Sequence, residues 1–322
     1  MIPDYENFIQ QLSGTKEWAE LEKHRKKALL GRYLIAPLLC GGLFLFGVYF
    51  FNIGAVVVSV PFFIFMYRLA HKNYSKEYKK LIMPRLVTDM IKSFSNADAP
   101  GKTSVQCRYN QSKHVSEHLL FNIPLFGKYK ADRIFLEGED FFSGYLGSTD
   151  FQFSDLTFKH NRDIPFANQD INLTVYNGLV FIADFHKAFE GTTTLTTRTG
   201  KIYRRLTRIG SQMNSDSHEF DRIFRITTTD EITARYLLPA NMQERMINLR
   251  KLFPRKGMAI CLHEGMLVIS IHNVDFFESD GLKKLDAGGM KRTYDEIKAI
   301  MDIIELLNLN LRIWNKRAKR RG

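Results

Sequence analysis

Between Arg32 and Arg68 the chain reads YLIAPLLCGGLFLFGVYFFNIGAVVVSVPFFIFMY, residues 33 to 67, without one charged side chain. About 20 apolar residues carry a helix across the hydrocarbon core of a bilayer, so this run of 35 is too long for one span. It divides at Phe51-Asn52-Ile53-Gly54, where Asn and Gly make a tight turn at little steric cost. The reading is a transmembrane hairpin within residues 33–69, its helices near Tyr33 to Phe51 and Ile53 to Leu69. A buried hairpin of a soluble protein would show a polar stripe, and none is present.

The flanks give the orientation. Lys23, Arg25, Lys26, Lys27 and Arg32 precede the run, and Arg68, Lys72, Lys76, Lys79 and Lys80 follow it. Lys and Arg stay on the cytoplasmic side, so two spans with both termini cytoplasmic are expected. Asp4, Glu6, Glu17, Glu20 and Glu22 lie in the mostly polar segment 1–32, read as an N-terminal cytoplasmic helical segment, ahead of the run, which argues against a cleaved signal peptide. Cys40, Cys107 and Cys261 have no local pairing pattern and suit a reducing compartment.

The formal net charge of +12 could be taken for a nucleic-acid footprint. It is instead concentrated beside the apolar run and in the tail 312–322, which holds six bases and no acid. The basic side chains expected to face lipid headgroups are Lys23, Arg25, Lys26, Lys27, Arg32, Arg68, Lys72, Lys316, Arg317, Lys319, Arg320 and Arg321. The bilayer, with anionic lipids, is the expected partner, and nucleic acid is not.

Residues 70–311 read as a cytoplasmic α+β domain with a mixed antiparallel sheet, closed by a long C-terminal helix. A helix near Lys76 to Phe94 is kinked or restarts at Pro84 and ends in the polar stretch Ser95 to Gly101. Phe151 and Phe153 alternate as in a strand. Ile171 to Tyr176 and Leu179 to Phe185 flank Asn177-Gly178, the preferred dipeptide of a two-residue hairpin. Met258 to His263 and Met266 to Ile271 flank Glu264-Gly265 in the same way, and Phe220 to Thr227 reads as a further strand. Pro239 opens a helix with Met242, Met246, Leu249 and Phe253 on one face, and Met290 to Trp314 is the closing helix.

Catalytic motifs are few. The chain contains no phosphate loop, no dinucleotide fingerprint and no Gly-x-Ser-x-Gly elbow. His114-Val115-Ser116-Glu117-His118 matches His-x-x-Glu-His, in which a helix sets two histidines on a zinc and a Glu beside the bound water. Cys107 could add a ligand. The residues around the string look extended, which favours a polar turn over a metal centre. Cys261 and His263 share a strand face without a third group to orient the imidazole, and read as part of a half-buried hairpin. The acidic runs Glu137 to Asp140 and Glu278 to Gly281 lack calcium-loop spacing and read as solvated turns. No catalytic residue, resident metal or cofactor is expected.

Asn177-Gly178-Leu179-Val180-Phe181-Ile182-Ala183-Asp184-Phe185-His186-Lys187-Ala188-Phe189-Glu190-Gly191-Thr192 resembles the signature strand pair of domain of unknown function 3137. Thr229 to Pro239 is similar to the second signature of that family, and Gly138 to Gly144 and Leu306 to Asn310 to further positions. The resemblance implies a two-span protein of the bacterial inner membrane with a cytoplasmic domain, working beside other small membrane proteins, and no established activity. At Glu117-His118-Leu119-Leu120-Phe121 the chain departs from the small residue and Gly of the family, so the resemblance does not support the zinc string. The leading functional reading is a membrane-anchored binding or scaffold module. The alternatives are a zinc hydrolase on His114, Glu117 and His118, and a nucleic-acid binder using the basic tail, whose composition favours phosphate contact over base readout.

Overall fold

The computed structural model describes residues 5–51, 54–88, 105–130, 133–146, 149–163, 170–185, 187–198, 209–279 and 281–306. The Asn52-Ile53 break, the stretch Ser95 to Gly101, the end of the closing helix and the tail with Lys316, Arg317, Lys319, Arg320 and Arg321 lie outside them. The chain divides into two compact units, residues 1–93 with 277–296, and residues 94–276 with 297–322.

The first unit is helical. Helices α1 (Tyr5–Ser13) and α2 (Lys16–Leu30) bury Phe8, Ile9, Leu12, Trp18 and Leu21 on one side each. Thr15 caps α2 by accepting from the Trp18 amide, which satisfies one of the orphan donors of the first turn. A π turn at Gly31–Ile35 joins α2 to α3 (Ala36–Phe51), and α4 (Gly54–Leu81) packs against both α2 and α3. Helical structure resumes at residues 83–88, around Pro84 as expected. The late segment 277–296 completes this unit, with Tyr294 seated on Tyr5 and Phe8 at ring-centroid distances of 5.3 and 5.6 Å.

The second unit is built on a nine-stranded, wholly antiparallel sheet in the order β1-β2-β3-β4-β9-β8-β5-β7-β6. Its strands are β1 Val105–Asn110, β2 Ile134–Leu146, β3 Thr149–Asp163, β4 Asp170–Asp184, β5 Thr192–Thr197, β6 Ser211–Met213, β7 Phe224–Thr228, β8 Gly257–His263 and β9 Met266–His272. One face carries Leu156, Phe158, Tyr176, Val180, Ile182, Cys261 and Val268 under a layer formed by α5 (Glu117–Asn122) and the chain that follows it, through Leu120, Ile123, Phe126 and Tyr129. On the opposite face Phe142, Phe153, Phe151 and Phe181 stack in a row with centroid spacings of 4.3 to 6.3 Å. The described residues of this unit also form α6 (His218–Ile223), α7 (Glu231–Leu237) and α8 (Ala240–Leu252). The closing helix α9 runs Lys291–Leu306 as described, behind a π turn at Leu285–Gly289.

Several expectations hold. Phe151 and Phe153 lie on β3, β8 and β9 form the hairpin around Glu264-Gly265, and α8 buries Met242, Met246 and Leu249 behind Pro239. Glu264 and Gly265 both take positive φ, +46° and +80°, the geometry of a type I′ turn.

Four expectations about secondary structure need correction. Asn177-Gly178 is not a turn, because β4 runs straight through it and pairs with β9 from Gly178 onward. Gly178 has φ +151°, and a Cβ there would fall 2.0 Å from the Ile271 carbonyl oxygen, so the glycine serves a close approach of strands. Residues 218–223 form α6 instead of the first part of a strand; Ser217 caps it, and only Phe224 onward is extended. Glu117-His118, expected in a polar turn, and Leu119 to Asn122, expected to be extended, together form helix α5 (Glu117–Asn122), capped by the Ser116 hydroxyl accepting from the Leu119 amide. Glu137 to Asp140 is no solvated turn but part of β2, with Asp140 fully buried at a bulge and accepting from the Tyr109 hydroxyl at 2.5 Å.

Candidate functional site

The string His114 to His118 straddles a boundary. Val115 is a core plug whose amide donates to Ser154 Oγ at 3.1 Å, and this anchors the chain where it crosses the sheet. His114 Nδ1 lies 2.8 Å from the Val115 carbonyl, and its Cβ packs against Gly138. Glu117 and His118 occupy the first turn of α5, both exposed, whereas His114 precedes the helix. The one-turn helical spacing of two histidines is therefore not formed, and the ligand atoms of Cys107, His114, Glu117 and His118 do not converge.

The two described sheet cysteines are poor nucleophiles. Burial pushes the Cys107 thiol up to about 12, and it pushes the Cys261 thiol up to about 11 although Thr194 Oγ1 donates to it. His263 Nδ1 is 2.9 Å from Thr192 Oγ1. The hairpin that carries Cys261 and His263 is buried on both faces for most of its length, rather than half-buried.

An open cleft of about 580 Å³ lies at one end of the sheet. Its floor is the face that carries Ile182 and Gln152, continued past the edge of the α5 layer at Leu119. Arg108, Asp150, Asp184 and Glu264 ring it, so carboxylates outnumber the single guanidinium. The lining holds no histidine or cysteine; Ser143 and Tyr145 are its hydroxyls.

The basic side chains of the helical unit fall into two groups. Lys23, Lys26, Lys27, Arg68 and Lys72 are exposed. Arg25 is buried, its Nε donating to both Glu22 carboxylate oxygens at 3.0 Å and its Nη1 to the Leu282 carbonyl, so it does not face lipid. Arg32 is half-buried, its guanidinium 3.4 Å from the Tyr67 ring centroid. Glu278, expected in a solvated turn, is instead engaged in an ion pair of the same unit: Lys79 Nζ meets it at 2.5 Å, Ser75 Oγ donates to the same carboxylate at 2.6 Å, and the neighbouring Ser279 is buried. Burial alone would raise the Glu278 pKa, but Lys79, Ser75 and His71 together hold it below the usual value.

The fold and these sites define an α+β protein with an antiparallel sheet unit, an apolar helical unit and, among the described residues, no assembled catalytic constellation. Residues 174–309 match the family model described as "Protein of unknown function (DUF3137)", so the resemblance carried by Asn177 to Thr192 and Thr229 to Pro239 is borne out over that segment. No curated protein matches the sequence. A solved structure, the mycobacterial trehalose monomycolate transport factor A, TtfA, is similar at 10% identity over 62% of this chain and 88% of that one, with a TM-score of 0.30. A likeness of that size carries no argument. One continuous helical stretch, Lys16–Phe46, is long and apolar enough to cross a membrane.

Proposed function

We propose that the protein is a membrane-anchored binding or scaffold module, held by two spans, with both termini and the sheet unit on the cytoplasmic side of a bacterial inner membrane. One observation carries the reading. Of the 21 large hydrophobic side chains that stand exposed among the described residues, 16 lie between Leu30 and Leu69, on α2 through α4. Soluble proteins scatter such residues singly, and a contiguous apolar belt calls for lipid or protein to cover it. The belt continues on α4 through Val60, Ile64, Phe65 and Leu69, which supports a second span beside the first. Exposed bases flank both, and no charge lies between them. Anionic lipids are the expected partner of Lys23, Lys26, Lys27, Arg68 and Lys72, and other small membrane proteins are candidate neighbours within the bilayer. The open cleft at one end of the sheet would present the binding surface to the cytoplasm.

Membrane fractionation and cysteine accessibility test this in the full chain. The protein should resist alkaline carbonate, and single cysteines placed at Ser13 and Ser215 should label with an impermeant maleimide only after the cells are opened. Release by carbonate, or labelling of either position in intact cells, would refute the two-span anchor.

A further inference from the structure

A groove of about 500 Å³ runs between α2 and α4 in the helical unit, at the level where the exposed apolar belt begins. Its lining changes character from one end to the other. His24, Lys27, Lys76 and Glu77 line one part, and Ile35, Met66, Leu69 and Ala70 the other. Each class follows from helix periodicity: Lys27 and Gly31 are one turn apart on α2 and its extension, as are Met66 and Ala70 on α4. The groove is open for a local reason. Gly31 sits in ordinary helical geometry (φ −57°), where a side chain would cost nothing in backbone strain, yet nothing lies within 4 Å of a Cβ built there. Gly31 also begins the π turn Gly31–Ile35, a helical irregularity that recurs at functional sites.

We infer that this groove is a site for one phospholipid molecule with an anionic headgroup, the phosphate lying toward Lys27, Lys76 and His24 and the upper part of an acyl chain along Ile35, Met66 and Leu69. The inference rests on the membrane-anchored reading, because only a bilayer puts lipid at this level. A free inorganic anion would use the cations but leave the apolar half unfilled. A purely apolar ligand would fill that half and leave the lysines unmatched. The single carboxylate in the lining, Glu77, together with Asn73 suits a headgroup that carries hydroxyl donors beside its phosphate. Phosphatidylglycerol has that combination.

The test uses the full-length protein in phosphatidylcholine vesicles containing a few per cent of phosphatidylglycerol that bears a diazirine on its acyl chain. Photocrosslinked positions are mapped by mass spectrometry. Crosslinks should concentrate on Ile35, Met66, Leu69 and Ala70 and exceed those from an equally labelled phosphatidylcholine. The double variant Lys27→Gln/Lys76→Gln should lose about tenfold of this labelling, since charge-assisted contacts are the stronger class. Lys26→Gln/Lys72→Gln removes the same charge from the same two helices outside the groove, and should lose less than twofold. Gly31→Leu should abolish the labelling without lowering the thermal midpoint, because it fills open space at helical φ. Equal losses in the two double variants would reduce the effect to diffuse surface attraction and overturn the site. So would competition by millimolar inorganic phosphate, or full labelling of Gly31→Leu. If the protein instead leaves the vesicles in alkaline carbonate, the anchor itself fails, and that outcome is read independently of the crosslinks.

Discussion

Replacing Gly178 by Ala separates a strand that passes through Asn177-Gly178 from a hairpin that turns there. In the structure Gly178 pairs with His272, and a Cβ would lie 2.0 Å from the Ile271 carbonyl oxygen and 3.0 Å from the His272 Cα. The φ of +151° belongs to a region essentially reserved for glycine, so strain alone costs about 1–3 kcal/mol. Relieving the overlap moves the β9 backbone by more than about 1 Å and disturbs ladder hydrogen bonds, each worth about 1 kcal/mol. Together these give about 4 kcal/mol. Gly265 is the internal comparison: it too has positive φ (+80°), but a Cβ would meet only the Lys187 carbonyl oxygen at 3.2 Å. Gly265→Ala should therefore cost about 1–2 kcal/mol, the usual penalty of left-handed backbone. At about 2–4 °C per kcal/mol for a unit of this size, the thermal midpoint of the full-length protein in mild detergent should fall by about 8–16 °C for Gly178→Ala and about 2–8 °C for Gly265→Ala. Hydrogen exchange should localise the first loss to the amides of residues 178–184 and 266–272. Equal shifts for the two variants, or no change in β9 protection, would refute the continuous strand.

Three further outcomes are expected. Glu278→Gln should destabilise the helical unit by about 2 kcal/mol, because it removes the carboxylate that Lys79 and Ser75 engage. Since the Glu278 pKa is depressed in the folded protein, this contribution is present above the ordinary glutamate pKa of about 4.3 and is lost as pH falls through the folded value, so wild type and variant should converge in midpoint at strongly acidic pH. Ser116→Ala should cost about 1 kcal/mol by uncapping α5, read as a small drop in midpoint and faster exchange at the Leu119 amide. Cys261, fully buried with its thiol pushed up to about 11, should stay unmodified by iodoacetamide at pH 8 in the native protein and react on unfolding, as peptide mass spectrometry would record.

Legibility in the sequence tracked the range of the signal. Glu264-Gly265 and Asn177-Gly178 look alike as strings, and only one is a turn. Tolerance of positive φ serves a turn at the first and a tight strand contact at the second, and the neighbour that decides it, Ile271, is remote in sequence. Phe220 and Phe224 suggested a strand, yet they stand one helical turn apart with ring centroids at 5.0 Å, and two aromatics with this spacing do not separate the two periods. Helix α5 has six residues, too few for a periodic pattern, and only its Ser116 cap could have marked it. The α8 stripe of Met242, Met246 and Leu249 was legible because 13 residues repeat the pattern. The Lys79, Ser75 and Glu278 network was not, since its hydroxyl and carboxylate lie 203 residues apart.

The same limit changes how the positive flanks of the apolar run should be counted. The orientation argument treats each Lys and Arg near a span as a free cation seeking the cytoplasmic side, but helical periodicity divides them. Arg25 and Lys79 point into the helical unit, where Glu22 and Glu278 meet them, and contribute to its packing. Arg32 lies over the Tyr67 ring, tying the start of the first apolar helix to the second. What remains available to a lipid surface is Lys23, Lys26, Lys27, Arg68, Lys72, Lys76 and Lys80, all exposed, still on both sides of the run. The inward cations shape the unit, the outward ones bias its orientation, and Lys27 and Lys76 stand where one face grades into the other. Bases of one sign on one short stretch of sequence thus carry three separate physical tasks, set by which side of α2 or α4 each occupies.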